Sequence, residues 1–502
     1  MKNSVILFIL AVFFCGCNQQ EADKNTAPNI VFILTDDQTF NSIHALGNTE
    51  IHTPNLNRLV AQGTTFTHAY NMGSWSGAVC AASRAMLISG RPLWKANAFR
   101  KNWINKDSLD LTWGRIMQTH GYNTYMTGKW HVDAAAKNVF QSVKNVRPGM
   151  PSDAWNHALM VQKFDSLNNV GSTDYESIMP FGYSRPKTLT DTLWQPQDTS
   201  NGGFWKGGKH WSEVLANDAL EFIAQANKST NPFFMYLAFN APHDPRQAPK
   251  EFLDMYDIEH ISVPKSFLAE YPYRNHIKNG NNLRDEALAP FPRTIHAIKT
   301  HLKEYYAIIT HLDYQIGVIL DAVEDLNGKN TYVIFTSDHG LAMGKHGLLG
   351  KQNLFDHSIR VPLIIAGPDV PKNKKIKQDV YLQDAMATAL DIAGIDKPNY
   401  VWFNSFFDIA KGEKMKGNYK AIYGAYLDVQ RMIRKDNFKL LVYPKINKTL
   451  LFDLNNDPEE MQNLAQVPEH KYRVKALFNA LLELQKEMDD PLDLSHIYNN
   501  IN

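Results

Sequence analysis

The 502-residue sequence predicts an α/β fold built on a doubly wound sheet that helices cover on both faces. Apolar runs of strand length alternate along the chain with segments whose apolar residues recur at helical spacing, which is the pattern of such folds. The strand-like runs are apolar throughout, as is typical of strands buried on both faces of a sheet. With 44% hydrophobic residues, the chain is long enough to bury a large core.

Four apolar runs are predicted to be buried strands of this sheet. They cover residues 29–37, 231–245, 331–340 and 361–368. Predicted helices cover residues 53–63, 211–227, 300–326 and 384–395. The first helix has clear start and stop signals, with Thr53 as N-cap, Pro54 in the first position and Gly63 at its end. The second is capped by Ser212 or by the loop before it.

The texture of the chain changes after residue 395. Short strand-like runs follow, with a hairpin predicted at Asp436-Asn437 and a final helix near 468–488. We therefore expect an α/β domain over residues 28–395 and a smaller C-terminal α+β subdomain, with an antiparallel sheet and a helix, over 396–502.

The N-terminus has the composition of a secretory signal peptide over residues 1–17. An apolar run over 5–14 follows a positive residue and is too short to span a membrane. The run leads into CGC, which resembles a bacterial lipobox with Cys17 as the lipidated residue, and a polar tether over 18–27 follows. The alternative is plain cleavage of a signal that contains cysteines. We expect an exported protein, in the bacterial periplasm or at the outer-membrane or cell surface as a lipoprotein.

The overall charge is balanced, with 52 Lys and Arg residues against 51 Asp and Glu residues. Such a chain has no general field that would attract nucleic acid or an anionic membrane. We therefore expect no nucleic-acid partner, and contact with a membrane only through a lipid anchor. Any recognition of an anion must be local.

Cys80 is the only cysteine outside the first twenty residues. If Cys15 leaves with the signal and Cys17 is acylated, Cys80 has no disulfide partner in an oxidising compartment. A lone cysteine of this kind is either buried and inert or chemically special.

Polar residues follow three of the predicted strands. Ligands of open α/β sheets bind outside the carboxyl ends of the strands, so these residues should meet at one rim. They are Asp36, Asp37, His243, Asp338 and His339. Three carboxylates at one place repel each other unless a cation lies among them, and oxygen ligands favour Ca²⁺ or Mg²⁺. The alternative for the aspartate pair is that it only caps the following turn.

Seven short motifs lie along the chain: TPNLNRLVAQGTTFTHAY (53–70), CAASR (80–84), TGKWH (127–131), APHDP (241–245), SDHG (337–340), LGKQNLFD (349–356) and LFDLNNDPEEMQNLA (451–465). In content and order they resemble the type I sulfatases of the alkaline phosphatase superfamily. CAASR is similar to the signature of that family, which is Cys or Ser, any residue, Pro or Ala, any residue, and Arg. The matches span 29–465. The chain departs from most members at Ala82, where they have Pro. This residue lies within the signature, so it bears on how efficiently Cys80 is modified.

The resemblance implies an alkaline phosphatase-like mixed sheet and hydrolysis of sulfate esters. It implies that a separate maturation enzyme oxidises Cys80 to Cα-formylglycine, whose hydrated aldehyde is the nucleophile. The implied ligands of Ca²⁺, or of Mg²⁺, are Asp36, Asp37, Cys80, Asp338 and His339. Most members have Asn where His339 stands, and the branch that includes iduronate 2-sulfatase has His. Imidazole is an unusual partner for a hard cation.

The resemblance also implies roles for six catalytic residues, of which Cys80 is the nucleophile. Arg84 and Lys129 resemble residues that bind and activate the formylglycine diol. His131 resembles the base that removes the second diol proton and expels sulfate. His243 and Lys351 resemble groups that hold the sulfate and stabilise or protonate the leaving oxygen.

Two rival functions stand beside the sulfatase. One is a phosphate-ester hydrolase of the same superfamily, which usually has a Ser or Thr nucleophile and two zinc ions. The other is a catalytically inactive surface glycan-binding lipoprotein, which would predict decay of at least one catalytic block. The Cys80 signature argues against the first, and the intact blocks argue against the second.

The expected substrate is a sulfated carbohydrate, such as fragments of ulvan or carrageenan or a glycosaminoglycan. The irregular segment 138–210 is a candidate for substrate-binding loops. Two stretches, 94–103 and 203–211, mix basic and aromatic residues that could pair with sulfates and stack on sugar rings. These residues are Trp94, Lys95, Arg100, Lys101, Trp103, Trp205, Lys206, Lys209, His210 and Trp211. Alternatively, the Trp residues pack the core and the Lys residues only keep its surface soluble.

Overall fold

The computed structural model describes residues 27–326 and 330–497. The predicted signal peptide and Cys17 lie outside the described residues. No helix in the described ranges is both long and apolar enough to cross a membrane.

The described chain alternates strands and helices as the sequence predicts. The strands are β1 (Asn29–Thr35), β2 (Thr64–Tyr70), β3 (Gly73–Ser74), β4 (Asn123–Lys129), β5 (Ser142–Arg147), β6 (Trp205–Lys206), β7 (Lys209–His210), β8 (Phe233–Ala238), β9 (Thr331–Ser337), β10 (Arg360–Ala366), β11 (Lys374–Ile376), β12 (Val380–Tyr381), β13 (Ile422–Tyr426), β14 (Gln430–Lys435), β15 (Phe438–Tyr443) and β16 (Lys448–Asp453). The α-helices are α1 (Pro54–Gln62), α2 (Val79–Ser89), α3 (Leu93–Arg100), α4 (Lys106–Leu109), α5 (Trp113–Thr119), α6 (His157–Asn169), α7 (Trp211–Ala226), α8 (Lys250–Leu253), α9 (Ile295–Glu324), α10 (Asp356–Ile359), α11 (Asp384–Ile392), α12 (Phe407–Lys411) and α13 (Lys471–Glu487).

The large sheet has the order β11-β2-β10-β9-β1-β8-β4-β5. Its centre is parallel, because β1 pairs in parallel with β8 on one side and with β9 on the other. The strand predicted over 361–368 is antiparallel to both of its neighbours, β9 and β2. The sheet is therefore mixed, as predicted, and the parallel centre places the carboxyl ends of β1, β4, β8 and β9 at one edge.

Helices cover both faces of this sheet, as the continuous apolar strands predict. Val31 and Ile33 of β1 belong to a core shared with α1, α7 and α9, whereas Ile30, Phe32 and Leu34 belong to a core shared with α2, α5 and α11. The alternation follows from the pleat of the strand, which points successive side chains to opposite faces. Both cores are buried, so the fold is the predicted two-sided α/β arrangement.

Helix starts differ in detail from the sequence prediction. Thr53 is the N-cap of α1 but its side chain makes no cap bond, because its Oγ1 accepts from the His44 backbone N–H instead, at 2.9 Å. Helix α7 is capped from the preceding loop, since Nδ1 of His210 accepts from the backbone N–H of Ser212 at 3.2 Å. Helix α9 begins five residues before the predicted range.

A second, five-stranded sheet has the order β16-β15-β14-β13-β3, and α13 packs against it. The predicted hairpin is confirmed: β14 and β15 are joined by Asp436 and Asn437, with φ of 51° and 62°, as a type I′ turn requires. The edge strand β3 comes from the segment just before α2. Gly73 is required there, because a Cβ on it would lie 1.9 Å from the carbonyl oxygen of Ala425. The second sheet is thus joined directly to the segment that leads to Cys80.

Candidate active site

The carboxyl edge of the large sheet brings the predicted site residues together. Asp36 and Asp37 follow β1, Asp338 and His339 follow β9, and His243 follows β8 after a short loop. Four more residues join them from other elements: Cys80 and Arg84 from α2, Lys129 at the end of β4, and Lys351 from the loop after β9. His131 lies two residues beyond β4. We call this set of ten residues the rim.

Cys80 lies in the first turn of α2, with Arg84 one turn later on the same face. Its side chain is buried and free of any disulfide. The thiol Sγ lies 3.3 Å from Nε2 of His339 and 3.5 Å from Nζ of Lys351. Cys80 is therefore buried among cations, which is not the environment of an inert core cysteine.

Three buried ion pairs hold the rim. Lys129 contacts Asp36, Lys351 contacts Asp37 at 2.7 Å, and Arg84 contacts Asp338 at 2.9 Å. Nη1 of Arg84 also donates to the carbonyl of Lys129 at 2.6 Å, which ties α2 to the end of β4. Each of the three aspartates is thus paired with a positively charged side chain. These pairs reduce the repulsion between the carboxylates that the sequence predicts.

The backbone at the rim is strained at two of these residues. Asp37 has φ of 70° and His131 has φ of 50°, values that are uncommon for residues other than glycine. The hydroxyl of Tyr305 on α9 donates to the carbonyl of Asp37 at 2.7 Å and accepts from the N–H of Thr39 at 3.1 Å. Helix α9 thereby fixes the turn after β1, which aims both aspartates into the rim.

The two histidines beside the thiol each have one ring nitrogen committed to a carbonyl. His339 Nδ1 donates to Gly340 at 3.0 Å, and His243 Nδ1 donates to Asp244 at 2.7 Å. Nε2 of His339 therefore faces the rim, 3.2 Å from Asp37 and 3.5 Å from Asp338. The hydrogen bond from Nδ1 to the carbonyl fixes the orientation of the ring and directs Nε2 at the two carboxylates.

The charges of the rim shift its pKa values. Burial opposes ionisation of Cys80, but the nearby Lys129, Lys351 and His339 outweigh it and hold the thiol pKa well below its usual range. Burial raises the pKa of Asp338 to about 6, and the charge of Asp36 adds to the shift. Burial lowers the pKa of His339, yet Asp338 and Asp37 prevail and raise it to about 9. The rim therefore stabilises a thiolate at Cys80 and a positive charge on the ring of His339.

His131 approaches the thiol from the β4 side. Burial lowers its pKa, and its interaction with Cys80 opposes that shift. Gly149 lies against its ring, where a Cβ would come within 2.5 Å of Cε1. Within the described chain, Nδ1 of His131 is buried without a hydrogen-bond partner. That nitrogen is available to a bound molecule.

The rim has the geometry of a cation site. Ligand atoms of Asp36, Cys80, Asp338 and His339 all lie within 4.8 Å of one another, as do those of Asp36, Asp37, Cys80 and His243. Ca²⁺ takes its ligands at about 2.3–2.6 Å, so ligands on opposite sides of it lie about 5 Å apart. Oδ1 of Asp36 is buried without a partner among the described residues. The carboxylate oxygens of this donor set suit a hard cation.

The structure adds three residues that the sequence reasoning missed as site residues. Arg284 donates from Nη2 to Nε2 of His243 at 3.2 Å and contacts Asp244 and Asp285. Asp285 lies 3.9 Å from Nζ of Lys351. Asp244 belongs to the matched block APHDP, which is a signal that could have found it. Arg284 and Asp285 lie in an irregular segment between α8 and α9 and carry no sequence signal.

The basic and aromatic stretches mostly take part in packing. Trp103 and His210 are buried, and the indole of Trp94 donates to the Tyr423 hydroxyl at 3.0 Å. Trp211 packs on the guanidinium of Arg147, 4.6 Å from the ring centre. The packing interpretation thus accounts for the indoles of Trp94, Trp103 and Trp211.

Two family models match the sequence of this chain. The model described as Sulfatase matches residues 28–395. A second model, described as N-sulphoglucosamine sulphohydrolase, C-terminal, matches residues 344–487. The two matches together cover the rim and the second sheet.

Two curated relatives illustrate the similarity. An uncharacterized sulfatase, YidJ, from Escherichia coli is 27% identical over 92% of this chain and 88% of its own length. An ulvan-active sulfatase from Formosa agariphila is 26% identical over 94% of this chain and 82% of its own.

Solved structures show the same fold. A protein solved in complex with its substrate D-glucosamine-2-N,6-O-disulfate has a TM-score of 0.68 at 20% identity, covering 93% of this chain and 99% of its own. A phosphonate monoester hydrolase of Agrobacterium radiobacter has a TM-score of 0.67 at 19% identity, covering 92% of this chain and 96% of its own. With the family match over most of its length, this chain belongs to the type I sulfatase family of the alkaline phosphatase superfamily and is a sulfuric ester hydrolase.

Proposed function

We propose that this enzyme hydrolyses sulfate esters of a sulfated carbohydrate, with a formylglycine made from Cys80 as nucleophile and Ca²⁺, or Mg²⁺, as the metal. One observation carries the mechanism: the buried, unpaired thiol of Cys80 lies within 3.5 Å of both Lys351 and His339. A structural cysteine has no need of such neighbours. A residue that is converted into the nucleophile has to be positioned among them.

The metal would be held by Asp36, Asp37, Asp338 and His339, together with the modified side chain at position 80. When bound, such an ion withdraws charge from the sulfate oxygens and stabilises the charge that develops in the transition state. The orphaned Oδ1 of Asp36 and the orientation of Nε2 of His339 toward Asp37 and Asp338 support this set, and Nε2 would release its proton on binding the metal.

The ion pairs of the rim would orient the nucleophile. The guanidinium of Arg84 is fixed by Asp338 and by the carbonyl of Lys129, so its Nη2, which has no partner among the described residues, is held at a fixed place near position 80. Lys129 lies within the same network. Two fixed cations beside a hydrated aldehyde would stabilise its deprotonated oxygen.

Proton transfer would involve residues on two sides of position 80. His131 has a buried free nitrogen and would take the second diol proton when sulfate is expelled. His243 and Lys351 would hold the sulfate, and the ammonium of Lys351 would donate to the leaving oxygen. Asp285 and Asp37 keep Lys351 in place on that side, at 3.9 Å and 2.7 Å.

The substrate class is supported by relatives rather than by the rim itself. The printed names include an ulvan-active sulfatase, an N-acetylglucosamine-6-O-sulfatase and a protein solved with a disulfated glucosamine. We propose a sulfated oligo- or polysaccharide for this chain too. We also propose export with lipidation at Cys17, and maturation by a formylglycine-generating enzyme, since a glycan of this kind is met outside the cytoplasm.

A parallel assay tests the function. The protein, co-expressed with a formylglycine-generating enzyme and supplied with Ca²⁺, should hydrolyse 4-nitrophenyl sulfate much faster than 4-nitrophenyl phosphate or phenyl phosphonate. A panel of ulvan, carrageenan and glycosaminoglycan oligosaccharides should show released sulfate. Faster hydrolysis of the phosphate or phosphonate would support the rival hydrolase. Strong activity on a steroid sulfate with none on any oligosaccharide would overturn the carbohydrate assignment.

A further inference from the structure

A cavity of about 80 Å³ lies beside the rim, between the irregular segment and the loop after β8. Its walls include Asp153, Tyr183, Arg185, Trp194, Asp244 and Arg246. A water needs roughly 10–15 Å³ of this kind of space, so the cavity has room for several waters or for the edge of a small polar ligand. None of the roles assigned to the rim uses it.

Arg246 lines this cavity with a guanidinium that is only partly bonded. The residue is 2% exposed. Its Nη1 donates to Nδ1 of His301 at 3.0 Å, and His301 in turn donates from Nε2 to the carbonyl of Arg185 at 2.9 Å. Its Nε and Nη2 have no hydrogen-bond partner anywhere in residues 27–326 and 330–497. A buried cation with unused donors costs several kcal/mol unless acceptors reach it.

A second donor on the same wall is also unused. The indole N–H of Trp194 is buried without a partner in the described part of the chain. Its ring packs against Phe181, with centroids 5.5 Å apart, and lies over Arg185 at 5.1 Å. The irregular segment thus holds the indole in place while leaving its polar edge without a protein acceptor.

The remaining charged groups of the wall are satisfied by the protein. Arg185 makes two hydrogen bonds of 2.6 Å to the carboxylate of Glu304. Asp244 is bound by Arg284, and that guanidinium keeps its pKa well below the usual range although burial opposes the shift. Asp244 accepts from the Tyr183 hydroxyl at 3.4 Å. The hydrogen-bond donors of Arg246 and Trp194 therefore lack acceptors, and they lie beside a carboxylate that the protein already binds.

The cavity adjoins the reacting centre through Asp244. That residue follows His243 directly, and Arg284 touches both. Arg246 is three residues beyond His243, so their Cα atoms lie within about 11 Å of each other. A molecule whose sulfate lies at the rim could therefore extend a neighbouring ring or substituent into the cavity.

We propose that this cavity is a sugar subsite, in which Nε and Nη2 of Arg246 and the indole N–H of Trp194 donate to oxygen atoms of the substrate. The carboxylate of Asp153, which lines the same space and is exposed, would accept from a sugar hydroxyl. Donors, carboxylates and an aromatic ring in one polar cavity suit a hydroxyl-bearing ring better than an apolar alkyl group. The inference rests on the proposed carbohydrate substrate.

The test compares two substrates in matured protein. Arg246→Gln and Trp194→Phe are assayed on 4-nitrophenyl sulfate, which reaches only the rim, and on whichever ulvan, carrageenan or glycosaminoglycan oligosaccharide wild type hydrolyses fastest. Each variant should lose at least about ten-fold more kcat/KM on the oligosaccharide than on 4-nitrophenyl sulfate. Trp194→Phe removes the indole N–H but keeps an aromatic ring, so it should disturb folding less than Arg246→Gln. Arg115→Gln, on α5 outside the rim and the cavity, is the matched control.

Each outcome decides the inference. Equal losses on both substrates, or no loss on either, would overturn it and leave Arg246 a water-bonded structural residue. Hydrolysis of 4-nitrophenyl sulfate without hydrolysis of any oligosaccharide would overturn it as well. If wild type hydrolyses neither 4-nitrophenyl sulfate nor an oligosaccharide, the proposed function fails, and the subsite is tested by calorimetric binding of the desulfated oligosaccharides. Binding that Arg246→Gln and Trp194→Phe weaken would support the subsite. Undetectable binding, or binding that the variants leave unchanged, would overturn it.

Discussion

Two buried charge clusters of this molecule look alike in composition and differ in what is left unsatisfied. One is the rim. The other, which we call the clamp, consists of Lys439 on β15, Asp356 at the start of α10 and Glu460 from the C-terminal block. Lys439 contacts Asp356 at 2.6 Å and Glu460 at 2.7 Å, and Glu460 also accepts from the backbone N–H of Asp356 at 2.6 Å.

The clamp is complete without a ligand, whereas the rim is not. None of the three clamp side chains has an orphaned buried atom in the described chain, but the rim has them on Asp36, Arg84 and His131. Because the orphans of the rim lie beside the predicted metal and nucleophile positions, we take them as groups that a bound ligand would satisfy. The clamp instead fastens the second sheet to the 340–359 loop that carries Lys351. The comparison separates a site built for a substrate from a site built for stability.

The largest expected effect concerns the nucleophile. Cys80→Ala should lower kcat for sulfate-ester hydrolysis by about 10⁴-fold or more, because no other group at the rim can form the covalent intermediate. The melting temperature should change little. Cys80→Ser keeps the size but removes the thiol, so it should also be inactive when it is co-expressed with a maturation enzyme that oxidises only cysteine. Near-wild-type turnover by Cys80→Ala would contradict the assignment of position 80.

Asp338→Asn should lower kcat on the order of 10³-fold, because it removes a charged ligand and the partner of Arg84 together. Chelation of wild type should give a similar loss that Ca²⁺ reverses. The variant should stay folded but lose about 3 kcal/mol of stability, because Arg84 loses its buried partner. Global unfolding of wild type on chelation, seen by circular dichroism, would instead indicate a structural ion.

Lys439→Met should lower the free energy of unfolding by about 3 kcal/mol, because breaking one partner of a buried ion pair leaves a buried charge uncompensated. Urea unfolding measures the change. Lys445→Met, at a half-exposed position paired with Asp428, is the control and should cost well under about 1 kcal/mol. A loss of activity in Lys439→Met without a loss of stability would contradict the division between clamp and rim.

The last expected effect, which is spread over more than two pH units, is the pH dependence of stability through Glu460. Burial raises its pKa to about 7, although Lys439 opposes the shift, from an ordinary value of 4.5. The folded state then holds a proton that the unfolded chain releases, so stability falls as pH rises from about 4.5 to 7. Glu460→Gln should flatten that slope by on the order of 1 kcal/mol per pH unit. The exposed Glu469→Gln is the control, and equal slopes in wild type and Glu460→Gln would refute the shift.

The sequence predicted the architecture well because apolar runs and strand-end polar residues obey local rules. The four strands, the Asp436-Asn437 turn and the meeting of Asp36 with Asp338 follow from patterning and from the geometry of parallel sheets. Family motifs then pointed to Lys129 and Lys351, whose positions no periodicity indicates.

The parts that the sequence did not predict depend on contacts between distant irregular segments. Arg284 reaches His243 across 41 residues of chain, and the cavity around Arg246 is closed by a segment without periodicity. Likewise, β3 pairs with β13 through two residues on each strand, and the paired residues lie about 350 positions apart in the sequence. Such contacts are set by tertiary packing, which leaves no signal in a single sequence.

The central claim is that Cys80 becomes the nucleophile, and its conversion can be measured directly. Protein batches matured to different extents are analysed by peptide mass spectrometry, where conversion of the thiol to the aldehyde lowers the mass by about 18 Da, and each batch is assayed on 4-nitrophenyl sulfate. We expect kcat per molecule to rise in proportion to the converted fraction and to extrapolate to zero when none is converted. Full activity in protein whose Cys80 is an unmodified thiol would contradict the claim.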